Sequence, residues 1–108
     1  MSQTNDTTNS ILKFLFEKRI FAWRQNTAGI PLPQGGFRPS GKTGLPDIFA
    51  IVPPEGKFLG IEVKTTKDRL RPAQEGFIAN AAKMGATVLV VKSYEDFLSQ
   101  FDKYISTS

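Results

Sequence analysis

Two carboxylates and a lysine set the chemistry open to this chain. Asp47 lies in Gly44-Leu45-Pro46-Asp47-Ile48, and fifteen residues on, Glu62 and Lys64 lie in Ile61-Glu62-Val63-Lys64. Residues alternate faces along a strand, so Glu62 and Lys64 point one way while Leu59, Ile61 and Val63 point to the opposite, apolar side. An antiparallel partner strand ending near Asp47 brings the second carboxylate to the same edge. Hard oxygen donors of this kind suit Mg²⁺ or Mn²⁺, and such a site next to a lysine fits cleavage of phosphodiesters.

The elements that must hold these residues can be read from patterning. Residues 1–8 are polar and expected to be frayed and flexible, with Thr8 or Asn9 as a helix cap. Ile11, Leu12, Phe14, Leu15 and Phe16, interleaved with Lys13, Glu17 and Lys18, predict an amphipathic helix. Ile20 to Arg24 reads as a short strand whose Phe21 and Trp23 are expected to pack inward. Gln25 to Thr43 is rich in Gly and Pro and reads as a long loop, mobile over 28–43 and of a length that in small domains accompanies function or disorder.

A hairpin should carry the site. Leu45 to Val52 and Lys57 to Thr66 read as strands joined by the turn Pro53-Pro54-Glu55-Gly56. Pro72 fits a first helical turn; Ala73, Phe77, Ile78, Ala81 and Met84 recur at helical spacing, and Gly85 ends the run. Ala86 to Val91 is apolar on both faces, as a buried parallel strand requires, so Lys57 to Val91 reads as a strand-helix-strand crossover. Glu95 to about Tyr104 makes a last helix.

Composition narrows the chemistry further. With 108 residues, 40% of them apolar and nine Phe, the chain has material for a single domain over 1–108 with one modest core. It has no Cys and no His. Thiolate nucleophiles, His general bases, Ser-His-Asp triads, Cys/His zinc sites and disulfides are therefore excluded, leaving carboxylates, lysine and metal. The start MSQTNDTTNS has no apolar signal core and no run approaches transmembrane length, so a cytoplasmic location is expected. Net charge is +4 and the pI about 9.6, which favours polyanions. Arg24, Arg38, Lys42, Lys64, Lys67, Arg69 and Arg71 all fall between the first helix and the next one. Around a carboxylate pocket such cations suit phosphate contacts, although charge excess alone more often marks a solvated surface.

The order Pro46-Asp47, then Glu62-Val63-Lys64, resembles the PD-(D/E)xK nuclease superfamily. More narrowly the chain resembles the stand-alone, phage-type VRR-NUC domains, through Trp23-Arg24-Gln25-Asn26-Thr27, Gly44 to Ile48, Phe58 to Lys64 and Leu70-Arg71-Pro72-Ala73-Gln74 in order. A bare Asp with Glu-x-Lys would carry little weight; four blocks in register are specific. The resemblance implies an α/β restriction-endonuclease-like fold: a mixed four-stranded sheet flanked by helices, in the order αβββαβ plus a C-terminal helix. It implies that Asp47 and Glu62 hold Mg²⁺ or Mn²⁺, with the Val63 backbone carbonyl as a further ligand and Asp6 as candidate for the acid that relatives carry on the first helix. Glu17 is too late in the helix and reads as solvated.

Lys64 can orient the attacking water or offset charge in the transition state. Gln74, in the first turn after the site strand, is implied to reach back to the site; without its block it would read as an exposed polar residue. Gly60 could leave room for a phosphodiester backbone or mark a bulge. Arg24, Asn26 and Thr27 are candidates for DNA phosphate contacts, with Arg24 equally able to pair with Asp47 or Glu62; Arg38, Lys42, Lys67, Arg69 and Arg71 are further candidates. The expected activity is metal-dependent endonucleolytic hydrolysis of DNA, on branched substrates such as Holliday junctions, by a homodimer. The rival readings are a catalytically idle nuclease fold that grips DNA or protein, and a structural Glu62–Lys64 ion pair.

Overall fold

The computed structural model describes residues 3–25, 30–31, 33–35, 37–38, 44–65 and 69–107. Its first element is α1 (Gln3–Glu17), followed by strand β1 (Phe21–Arg24). The helix thus begins inside the segment expected to fray. The reason is tertiary: Thr7 and Thr8 are buried, and Asn5 and Asn9 bond a side chain of β1, so packing holds a turn that apolar periodicity does not announce. The helix closes without glycine. Ile20 N–H donates to the Leu15 carbonyl and Arg19 N–H to that of Phe16, with Arg19 itself in the left-handed region at φ 61°.

A small antiparallel pair, β2 (Ile30–Pro31) with β3 (Phe37–Arg38), stands in the segment expected to be a structureless loop. Then come β4 (Ile48–Val52), β5 (Lys57–Val63), α2 (Pro72–Lys83), β6 (Thr87–Val91) and α3 (Tyr94–Thr107). The main sheet has the order β1-β4-β5-β6; β1 and β5 flank β4 antiparallel and β6 runs parallel to β5, the mixed four-stranded arrangement expected. β4 and β5 are shorter than their apolar runs, so Asp47 immediately precedes one strand and Lys64 immediately follows the other. The Lys64 N–H continues the parallel ladder to the Val91 carbonyl at 2.8 Å.

One sheet face makes the core. Ile48, Ala50 and Val52, then Leu59, Ile61 and Val63, alternate inward and meet Ile11 and Leu15 of α1 and Phe97 and Phe101 of α3. Phe14 stands edge-on to Phe97 and Phe101 at 5.5 Å each, the geometry that aligns ring edges with ring faces. On the other face α2 lies beside β6, half-burying Phe77, Ile78 and Ala81, while Met84 at its end is exposed. Gly85, at φ 88°, ends it as expected.

Two aromatic side chains depart from their sequence reading. Phe21 is 68% exposed and Trp23 37% exposed, because odd positions of β1 face away from α1, onto the side that α2 leaves open. Among the described residues, no helix is long and apolar enough to cross a membrane.

Candidate active site

Gly44 to Asp47 is wedged between α2 and the sheet, and two glycines make that possible. Gly44 has φ 82°, and a Cβ there would collide with the Ala73 backbone carbonyl in the first turn of α2. Pro46 is fully buried over Gly60, where a Cβ would come within 2.8 Å of Pro46 Cγ. The space above Gly60 is thus filled by the chain's own proline; the phosphodiester expected there is excluded. The Asp47 carbonyl accepts from Gln25 N–H at 2.8 Å, fixing the backbone of Asp47 at the end of the β1–β4 pairing.

The Asp47 side chain reaches across to β5, where its Oδ2 accepts the Val63 N–H at 2.8 Å. Glu62 is only 5% exposed and faces the same carboxyl. Burial first, then the charge of Asp47 and the hydrogen bond with its carboxyl, push the Glu62 pKa from 4.5 to about 8, with Lys64 pulling the other way.

Gln74 completes the cluster. Its Oε1 accepts the Arg71 N–H at 2.8 Å, and its Nε2 donates to Glu62 Oε1 at 3.3 Å. Only the amide oxygen can take the Arg71 proton, so the orientation of the amide follows from the helix start. Gln74 thus reaches back to Glu62, as the resemblance carried by the Arg-Pro-Ala-Gln block implies.

The donor set fits a divalent cation: buried Glu62 and half-buried Asp47 face each other, and burial together with the neighbouring charge raises the Glu62 pKa. Asp47, Glu62 and the Val63 carbonyl are the groups that would hold it. Asp6 does not join them: it is exposed on α1, and among the described residues no third Asp or Glu gathers with the pair. Glu17 is solvent-exposed, as expected.

Arg24 takes neither of the two roles anticipated as an ion pair. Its Nη1 and Nη2 donate to Asn5 Oδ1 and Asn9 Oδ1, each at 3.2 Å. Even positions of β1 share the α1 face with Ala22, so the guanidinium meets the helix and turns away from the carboxylates. Asn5 was not singled out in the sequence, and Asn9, like Thr8 expected as a helix cap, lies inside α1 because the helix starts at Gln3; their i, i+4 spacing places Asn5 and Asn9 on one helical stripe. Arg69 and Arg71 are exposed at the entry to α2, beside the Gln74 that touches Glu62. Arg38 lies on β3 opposite Ile30. Asn26, Thr27, Lys42 and Lys67 lie outside the described residues.

A solved structure described as a VRR_NUC domain shares the fold, with a TM-score of 0.68 at 21% identity over 98% of this chain and 97% of that one. Comparison with curated proteins gives no significant match. The VRR-NUC domain family model matches residues 2–95, which spans every element of the sheet and the whole carboxylate cluster, and the chain therefore belongs to the VRR-NUC family of nuclease-type domains.

Proposed function

We propose that the protein is a Mg²⁺- or Mn²⁺-dependent DNA endonuclease, and the observation that carries this reading is the pairing of buried Glu62 with half-buried Asp47, held by the Gln74 and Val63 hydrogen bonds. A structural role would favour one carboxylate with one cation. Here two acids are pressed together at the cost of ionising one of them, an arrangement that a bound divalent cation relieves.

Each side chain has a separate task. Asp47 is oriented by the Val63 N–H on its Oδ2, and Glu62 is oriented by the Gln74 amide. A divalent cation in this site supplies a water of lowered pKa and polarises the scissile phosphate. Lys64, at the end of β5 and within electrostatic reach of Glu62, offsets charge on the pentacovalent phosphorus or orients the attacking water. Arg69 and Arg71, exposed at the entry of α2, are the cations this reading assigns to phosphates that flank the cut.

The substrate is branched DNA such as a four-way junction, cut by a homodimer. No described element is a free helix that could read a major groove, so shape of the DNA is a better target for so small a domain than base sequence. Two sites related by a two-fold axis suit paired cuts on a symmetric branch. Labelled four-way, forked, flap and linear duplex DNA assayed together with Mg²⁺ or Mn²⁺ test this. Cleavage should prefer the branched forms and stop with EDTA, Asp47→Ala, Glu62→Ala or Lys64→Ala. Cleavage that survives all three substitutions would sink the assignment, and binding without cleavage on every substrate would leave a binding module.

A further inference from the structure

The sheet face that carries Asp47 and Glu62 continues past them as a strip of aromatic and aliphatic side chains. In the first rung beyond the site Trp23 stands opposite Phe49; in the second, Phe21 and Phe58 flank Ile51. Ring centroids link Phe21 to Trp23 at 5.2 Å with the two rings tilted by 46°, and Trp23 to Phe49 at 5.9 Å and Phe49 to Phe58 at 5.0 Å edge-on, so that the four rings form one continuous series. Phe21 is 68% exposed, Trp23 37% and Ile51 38%, and among the described residues no helix lies over β1 and β4 on this side. The core does not need these rings, which face away from it.

We propose that this strip is a stacking platform for unpaired nucleobases adjacent to the scissile phosphate; the inference rests on the nuclease reading above. The register places it. Successive rungs are two residues apart, about 6.8 Å along the strands, so a strand with a phosphate at Asp47 and Glu62 brings its next bases over Trp23 and then Phe21. Aromatic rings accept any base because every base has a π-face. Neither rung contains an acid; Arg19 lines the hollow beside Phe21 at the far end together with Glu17, and Lys64 stands at the near end. The Trp23 Nε1 donates to Gln25 Oε1 at 3.3 Å, which holds the indole by its edge.

A second copy of the chain fits less well as the occupant. The exposed apolar area of the strip is on the order of 300 Å², under half of the roughly 800 Å² per partner of a stable interface. Unpaired bases need far less. Branched DNA exposes such bases at its junctions, so the platform gives one physical basis for selecting branches over plain duplex.

Trp23 is the only tryptophan of the chain, so its emission reports directly on this surface. In EDTA, which keeps the DNA intact, the protein is titrated with forked DNA carrying unpaired arms and with blunt duplex of equal length. Anisotropy of labelled DNA follows binding in the same samples. Saturating forked DNA should quench Trp23 emission by about half or more, and saturating duplex should do so much less. Phe21→Ala, at an exposed position where folding is undisturbed, should weaken the forked complex at least about fivefold and the duplex complex by less than about twofold. Saturated binding with unquenched emission overturns the proposal while leaving the nuclease reading intact. Emission that shifts to the blue with protein concentration in the absence of DNA overturns it in favour of a second copy. Failure to bind forked DNA overturns the platform, while cleavage with Mg²⁺ or Mn²⁺ remains the separate test of the nuclease reading.

Discussion

The Glu62 carboxyl is the group on which solution behaviour should turn, because burial and Asp47 raise its pKa to about 8 from an ordinary 4.5. Below pH 4.5 it is protonated folded and unfolded, and it contributes no pH dependence. Between 4.5 and 8 the unfolded chain gives up the proton while the folded one keeps it, so the metal-free protein loses stability as pH rises through that window and levels off above it. Thermal melts in EDTA should therefore show Tm falling from pH 5 to 8, and Mn²⁺ should raise Tm more at pH 8 than at pH 5. Glu62→Gln should flatten the profile; a wild-type Tm that rises over this range would contradict the pairing. Gln74 has two duties, and two substitutions separate them. Gln74→Ala removes both the Arg71 N–H acceptor and the donor to Glu62, and should cost about 1 kcal/mol of stability as well as activity. Gln74→Glu keeps the acceptor at the helix start but sets a third carboxylate beside Glu62, so activity should fall with Tm little changed at pH 5. Equal losses of stability in both variants would reduce Gln74 to a cap.

At the scale of elements, the site depends on how the segment before β4 is trapped between α2 and β5. Gly60→Ala would drive a methyl into the Pro46 ring at 2.8 Å and move Asp47 with it. Overpacking of this kind costs about 1–3 kcal/mol, and cleavage should fall by more than the stability loss explains. Adding Pro46→Ala makes room again, so the double variant should regain stability over Gly60→Ala alone; a further loss would show that the contact is not what Gly60 serves. The sequence displayed both glycines and the proline, yet nothing in its periodicity says which residue fills the space over a strand glycine. That is a tertiary fact, and the same holds for Arg24. Its strand position was legible, but its partners Asn5 and Asn9 lay in a segment whose polarity reads as disorder, since buried threonines and hydrogen-bonded asparagines leave no apolar stripe. The end of α1 offers a separate check. Arg19 holds a left-handed conformation that glycine adopts without strain, and Arg19→Gly should raise stability by about 1 kcal/mol in chemical denaturation.

The whole molecule was more legible than its parts. The doubly apolar run at 86–91 announced a buried parallel strand, and the hairpin turn at 53–56 an antiparallel pair, which together fix the mixed sheet. What alternation cannot say is which face of a strand a helix will cover, so Phe21 and Trp23 read as core and emerge on the open side. Assembly is the next level up, and it leads to a test that does not depend on seeing the dimer directly. If two copies cut a four-way junction together, mixing wild type with an equal amount of Glu62→Ala and allowing exchange gives about half of the dimers one live site each. Those mixed dimers can cut only one strand of a junction per encounter. Singly cut junctions should therefore accumulate at a level that neither parent produces, while paired cuts fall well below half of the wild-type rate. Independent monomers predict something different: the rate halves and the ratio of single to paired cuts at equal conversion stays that of wild type. That second outcome would remove the dimer from the proposed function and leave the carboxylate site untouched, because Asp47, Glu62, Lys64 and Gln74 all come from one chain.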